Sequence, residues 1–249
     1  MRASRLVSAL LLSALPLFAS AQQLTVSAAA SLTDAFKELG PQFEKAHSGA
    51  TLRFNFAASG VLLQQIEQGA PVDVFASADQ TTMDRAVKAK MIDEATRRDF
   101  VSNSLVLIEP AQGGHGIKDI KDLSKSEIKR IAVGKVDTVP VGRYTKEALE
   151  SAGLWTSLQP KFVQADSVRQ ALDYVSRGEV DAGFVYRTDA TIMGDKVKIA
   201  LTAGGHTPVT YPVAVVADSK HKDLAKSFLE FLASADARKV LDRYGFGKP

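Results

Sequence analysis

From Leu24 onward, short apolar runs alternate with stretches in which apolar residues return every three to four positions. Residues 24–30 read as a strand, and the following stretch, 32–46, places Leu32, Ala35, Phe36, Leu39 and Phe43 on one helical face. Strand-like 51–57, a helix over 61–68 closed by Gly69, a strand over 72–77 and a helix over 81–89 continue the series. Such a βαβαβα rhythm predicts a largely parallel sheet covered by helices. The second half repeats it, with strands over 131–134, 161–164 and 182–186 and helices over 144–151 and 168–176. Ser59 stands thirteen positions before Val72-Asp73, and Ser167 thirteen before Val180-Asp181, with a helix and a glycine (Gly69, Gly178) between in each case. This echo suggests two similar halves.

Two further apolar segments, 104–108 and 211–216, flank the second half, and 223–244 reads as terminal helices carrying Leu224, Phe228, Phe231, Leu232 and Leu241 on one face. The layout predicts an α/β protein of two lobes, each a mainly parallel sheet flanked by helices. Lobe I would comprise 22–104 and 212–249, and lobe II 105–211, with two crossing segments acting as a hinge. The glycine-rich stretch 112–116 reads as a surface loop beside the first crossing.

The first 21 residues follow another pattern. A basic start (Arg2, Arg5) precedes an apolar run interrupted by Ser8, Ser13 and Pro16, then Ala19-Ser20-Ala21. That is the pattern of a signal peptide with a small-x-small cleavage site, and it predicts export to the periplasm. Removing Arg2 and Arg5 takes away two of the three net positive charges, so the mature protein is nearly neutral. The remaining charges form no block of one sign, which argues against a nucleic-acid partner. The chain has 249 residues, 45% of them hydrophobic, and no cysteine, so a folded core has to hold without disulfides and a lipid-modified cysteine is excluded.

Catalytic signatures are missing: no G-x-S-x-G, P-loop, G-x-G-x-x-G or H-E-x-x-H occurs. His47, His115, His206 and His221 are scattered, without metal-ligand spacing. Asp73, Asp79, Asp166, Asp181 and Asp189 fall at strand ends and helix starts, where carboxylates usually cap or pair. What recurs is a small or hydroxyl residue where a strand hands over to a helix: Ala29-Ala30-Ser31, Ala57-Ala58-Ser59, Val139-Pro140-Val141-Gly142 and Asp166-Ser167-Val168. Helix starts carry unpaired N–H groups and the positive end of the dipole, and small residues let a ligand approach them. Taken singly, Ser31, Ser59 and Ser167 read first as plain N-caps, each worth about 1 kcal/mol to its helix, but a plain cap does not need the bare alanines that precede Ser31 and Ser59. Tyr186 ends a strand and would bring a hydroxyl to the same sheet edge. An exported hydrolase with Ser31 or Ser59 as nucleophile needs a base, and no histidine lies near either motif.

Ala28-Ala-Ala-Ser31-Leu-Thr-Asp-Ala35, Phe56-Ala-Ala-Ser59-Gly, Gly69-Ala-Pro-Val-Asp-Val-Phe-Ala-Ser-Ala-Asp79, Val139-Pro-Val-Gly-Arg-Tyr144, Val185-Tyr186 and Tyr211-Pro-Val-Ala-Val-Val216 together resemble the periplasmic molybdate-binding proteins of bacterial molybdate ABC importers. The resemblance runs in order along essentially the whole mature chain. It implies a two-lobed type II periplasmic-binding-protein fold that closes on one tetrahedral oxyanion, molybdate or tungstate. It implies oxyanion contacts from the hydroxyls and backbone N–H groups of Ser31 and Ser59, the backbone N–H of Val141 and of Val168, and the hydroxyl of Tyr186. It further implies no cofactor beyond the transported anion, a membrane permease as partner, and a monomer. The chain departs from many relatives in having Val141 where they have alanine and in a less serine-rich run at Ala58-Ser59-Gly60. Another oxyanion such as sulfate is the alternative cargo.

Overall fold

The computed structural model describes residues 22–249, so the expected signal peptide lies outside the described residues. In chain order the elements are β1 (Gln22–Ala29), α1 (Thr33–Ala46), β2 (Ala50–Ala57), α2 (Ser59–Glu67), β3 (Val74–Ala76), α3 (Gln80–Lys88), β4 (Arg98–Asn103), β5 (Leu105–Pro110), β6 (Ile131–Gly134), α4 (Pro140–Ser151), α5 (Trp155–Leu158), β7 (Phe162–Ala165), α6 (Val168–Ser176), β8 (Ala182–Tyr186), α7 (Arg187–Ile192), β9 (Val197–Thr202), β10 (Val209–Val215), α8 (Lys222–Leu232) and α9 (Ala235–Arg243). They form two five-stranded sheets of matching order, β2-β1-β3-β10-β4 and β7-β6-β8-β5-β9.

Each sheet is mixed, with four of its five strands running the same way. β1 pairs in parallel with β2 and β3, and β6 with β7 and β8, through helical crossovers. One strand of each sheet is reversed: β10 is antiparallel to both its neighbours, β3 and β4, and β5 to both of its own, β8 and β9, so the edge strands β4 and β9 again run with the parallel set. β10 and β5 are the strands that arrive from the other lobe. No crossover helix brings them in, so nothing requires the parallel sense.

The chain passes from the first sheet to the second at Ser104, the single residue between β4 and β5, and returns through 203–208. Val209, Thr210 and Tyr211 already pair with Asn103, Ser102 and Val101, so the return precedes the 211/212 boundary that the apolar run suggested. Two strands, β4 and β9, escape the sequence pattern. Both lie at sheet edges, where one side needs no partner and polar residues such as Arg98, Asp99, Lys198 and Thr202 are tolerated.

The sequence echo has a structural counterpart. Asp73, just before β3, accepts the Thr25 N–H of β1 at 2.8 Å. Asp181, just before β8, accepts the N–H groups of Lys129 and Arg130 ahead of β6 at 2.7 and 2.8 Å. In each lobe a carboxylate thus ties the entry of the third strand to that of the first. Helices close the sheet faces; Phe36 of α1, fully buried, meets Phe228 of α8 edge-on with ring centroids 5.9 Å apart.

Candidate functional site

The parallel strands of the first sheet end in step, Ala29 beside Ala57 and Ala28 beside Ala76. Those of the second end likewise, Gly134 beside Ala165. Ligands of open α/β sheets sit at these carboxyl ends, and here the two sets face each other across one cavity. Its walls are Ala29, Ala30, Ser31, Ala57, Ala58, Ser59 and Ala78 from the first lobe and Val139, Pro140, Val168 and Tyr186 from the second. Its free volume is about 10 Å³, room for little more than one small group and far below the roughly 300–1,000 Å³ usual for organic ligands, and none of its walls carries a charge. The alanines set the size, since any longer side chain there would fill the space.

The serines of the first lobe are not caps. Ser31 lies in a 3-10 turn over Ala30–Leu32 and Ser59 is the first residue of α2, and neither makes a side-chain capping bond. The Ser59 hydroxyl accepts the Ala78 N–H at 3.0 Å. A backbone N–H can only donate, so the Ser59 proton is left free to point into the cavity. Ser31 Oγ lies 2.9 Å from Tyr211 Oη. Neither partner is a general base. Ser167, by contrast, is a true N-cap of α6, its hydroxyl accepting the Gln170 N–H at 3.1 Å.

On the facing side, Val168 opens α6 and lines the cavity, at a position whose N–H has no partner within the helix. Val141 is fully buried but is not a wall residue; Val139 and Pro140 form that part of the surface. Val141 is the second residue of α4, after a proline that has no N–H to offer. The helix starts at Pro140 rather than at Tyr144 because its first turn packs on the end of β6: a Cβ on Gly142 would stand 2.1 Å from the Gly134 carbonyl oxygen. Proline is well suited to that first position. Tyr186 is 1% exposed, and its hydroxyl is buried on the cavity wall without a hydrogen-bond partner. Burial pushes the phenol well above its ordinary pKa, so it stays protonated and able to donate.

The lobes touch around the cavity. Gly60 of α2 donates its N–H to the Thr138 carbonyl at 3.0 Å. Arg143 of α4 reaches Asp79, the N-cap of α3, with Nε 2.6 Å from Oδ2. Arg169 of α6 pairs with Asp34 of α1 at 2.7 Å and with the fully buried Asp189 at 2.5 Å. Burial raises the Asp189 carboxyl to about 6 although Arg169 beside it pulls the other way. The chemistry-bearing aspartates of the sequence are thereby placed: Asp73 and Asp181 hold strands, Asp79 and Asp189 meet arginines, and Asp166 pairs with Lys135. Among the described residues no cluster of His, Cys, Asp and Glu could hold a metal ion.

The sequence pattern missed Tyr211, Asn103, Ala78 and Arg169 as neighbours of the site. Ser31 and Tyr211 are 180 positions apart. Only the strand order, with β10 beside β3, brings them together.

Comparison with known proteins places this architecture. The molybdate-binding protein ModA of Escherichia coli strain K12 is 42% identical over 231 residues, covering 90% of this chain and 88% of its own. The periplasmic molybdate-binding protein of Azotobacter vinelandii superposes with a TM-score of 0.78 at 23% identity, covering 91% of this chain and 99% of its own. The sulfate-binding protein SubI of Mycobacterium tuberculosis H37Rv has the same TM-score of 0.78 at 19% identity, covering 90% and 86%. At that identity the two structures share the fold and no more. The profile of the bacterial extracellular solute-binding protein family matches residues 24–247, essentially the whole of both lobes. With the two sheets, the double crossing and the small cavity between them, the chain belongs to the bacterial extracellular solute-binding proteins.

Proposed function

We propose that this protein is the periplasmic receptor of an ABC importer, that its cargo is molybdate, with tungstate bound in the same way, and that it works as a monomer with no resident cofactor. The observation that carries the reading is the Tyr186 hydroxyl, buried without a partner on a small cavity with neutral walls. A buried donor left unpaired costs about 1–3 kcal/mol, and a ligand that accepts from it recovers that cost. A fully ionised oxyanion presents only acceptors, which suits the hydroxyls of Tyr186, Ser31 and Ser59 and the N–H groups at the starts of α4 and α6. Hydrogenphosphate carries a donor of its own, and no wall residue is a carboxylate to accept it. The E. coli relative at 42% identity supports molybdate as the cargo.

Sulfate is also a proton-free dianion, so only the size of the cavity separates it from molybdate. The test is a thermal-shift series on residues 22–249 with molybdate, tungstate, sulfate and phosphate at equal concentration, since a ligand that binds only the folded state raises its melting temperature. A large shift with molybdate and tungstate and little with the others is expected. A larger shift with sulfate makes the protein a sulfate receptor. No shift with any of the four rejects the oxyanion reading.

A further inference from the structure

Ser31 stands at the end of a hydrogen-bond chain that begins in the hinge. Asn103, the last residue of β4, accepts the N–H of Ser104, the crossing residue, on Oδ1 at 2.9 Å. That N–H can only donate, so the other arm of the Asn103 side chain is the NH₂ group. Nδ2 lies 2.9 Å from Thr188 Oγ1 in the second lobe and 3.2 Å from Tyr211 Oη. An amide nitrogen does not accept hydrogen bonds, so Tyr211 accepts from Asn103 and its own proton goes elsewhere. The partner in reach is Ser31 Oγ at 2.9 Å. Ser31 therefore accepts from Tyr211, and the Ser31 proton is left for the cavity. Tyr211 is fully buried and its ring is packed against Tyr186 and Phe246, with centroids 5.9 and 5.6 Å away, so the hydroxyl has no freedom to turn to water.

We propose that Asn103 and Tyr211 are positioning residues that make Ser31 an obligate donor and so select anions without a proton of their own. The inference rests on the oxyanion-receptor reading. The two serines reach the same polarity by different routes. Ser59 is oriented by a backbone N–H that only a proline at 78 would remove, whereas Ser31 depends on two side chains. Without Tyr211 the Ser31 hydroxyl can turn and offer a lone pair, the one thing hydrogenphosphate needs. Asn103→Asp reverses the chain: a carboxylate accepts the Tyr211 proton, Tyr211 accepts from Ser31, and Ser31 shows lone pairs to the cavity.

The experiment is calorimetric titration of the wild type, Tyr211→Phe and Asn103→Asp with molybdate, sulfate and phosphate above neutral pH, with melting temperatures measured alongside. Tyr211→Phe is expected to weaken molybdate about tenfold, the loss of one oriented charge-assisted hydrogen bond. It should leave the molybdate-to-sulfate ratio unchanged and shift the molybdate-to-phosphate ratio toward phosphate. Asn103→Asp should weaken molybdate further than Tyr211→Phe. A packing role for Tyr211 would lower the melting temperature and weaken all three anions alike, and that result overturns the proposal, as does an unchanged phosphate ratio. If Asn103→Asp does not fold, the ratios in Tyr211→Phe decide. Failure of the wild type to bind any of the anions rejects the receptor reading instead.

Discussion

Tyr186 and Ser167 each place a hydroxyl group where a strand meets a helix, yet their surroundings call for opposite mutational outcomes. The Tyr186 hydroxyl has no partner inside the protein, while Ser167 caps α6 through the Gln170 N–H. Tyr186→Phe should therefore leave the ligand-free melting temperature unchanged or higher, because it deletes an unsatisfied buried group. It should weaken molybdate about 10- to 100-fold through the loss of a hydrogen bond to a charged ligand. Ser167→Ala should lower stability by about 1 kcal/mol and leave affinity nearly intact. Chemical denaturation and titration of both variants check this, and equal effects on affinity would mean that the cap and the donor had been wrongly told apart. From the sequence the serines at 31, 59 and 167 look alike. Which hydroxyl faces a helix N–H and which faces a cavity depends on a turn of a few ångströms that residue type does not specify.

At the scale of elements, the site is made by four strand-to-helix turns, and α2 shows what their approach requires. Its second residue, Gly60, donates to Thr138 in the loop ahead of α4, and a Cβ there would stand 2.6 Å from the Thr138 carbonyl oxygen and 2.8 Å from its Cα. The atoms met are backbone and cannot turn aside, so Gly60→Ala fits only if the two lobes move apart, whatever alanine gains over glycine in helix propensity. The collision lies between the lobes, so the same change should hold them apart and weaken molybdate by about tenfold or more, roughly the cost of one imperfect closure contact. Undiminished affinity would show that this approach is not part of the liganded state. The longer helices and the central strands were legible in the apolar spacing because they are covered by their own sequence neighbours, whereas the short α5 and α7 carry too few turns to show a period. β4, β9 and the antiparallel sense of β5 and β10 were not, since edge pairing and strand order arise from contacts far apart in sequence.

Across the whole molecule, two arginines of the second lobe reach aspartates of the first, Arg143 to Asp79 and Arg169 to Asp34, one beside each helix start on the cavity. Asp189 shares Arg169 and is buried enough to titrate at about 6 instead of its ordinary 3.8. Its folded-state pKa is raised, so the folded protein holds a proton that the unfolded chain has lost between those values. The corresponding stability is full below about 4 and is lost as the pH rises through about 6. In melting curves across that window, Asp189→Asn should gain on the wild type as the pH rises from 4 to 7. A difference that does not change with pH would place the titration elsewhere. No helix among the described residues is long and apolar enough to cross a membrane.

The sequence by itself determined the α/β rhythm, the duplicated halves and the small residues at the strand ends. Each of these follows from local periodicity or from the steric demands of a single turn, which neighbouring residues encode. Only the tertiary structure decided that Ser59 is held by Ala78 and Ser31 by Tyr211, that Val139 and Pro140 rather than the Val141 side chain line the cavity, and that Arg169 joins Asp34 to Asp189. These depend on how two lobes, threaded by two crossings, are set against each other. The direction in which a hydroxyl proton points is fixed by the donor behind it, and that donor lies as far as 180 residues away along the chain.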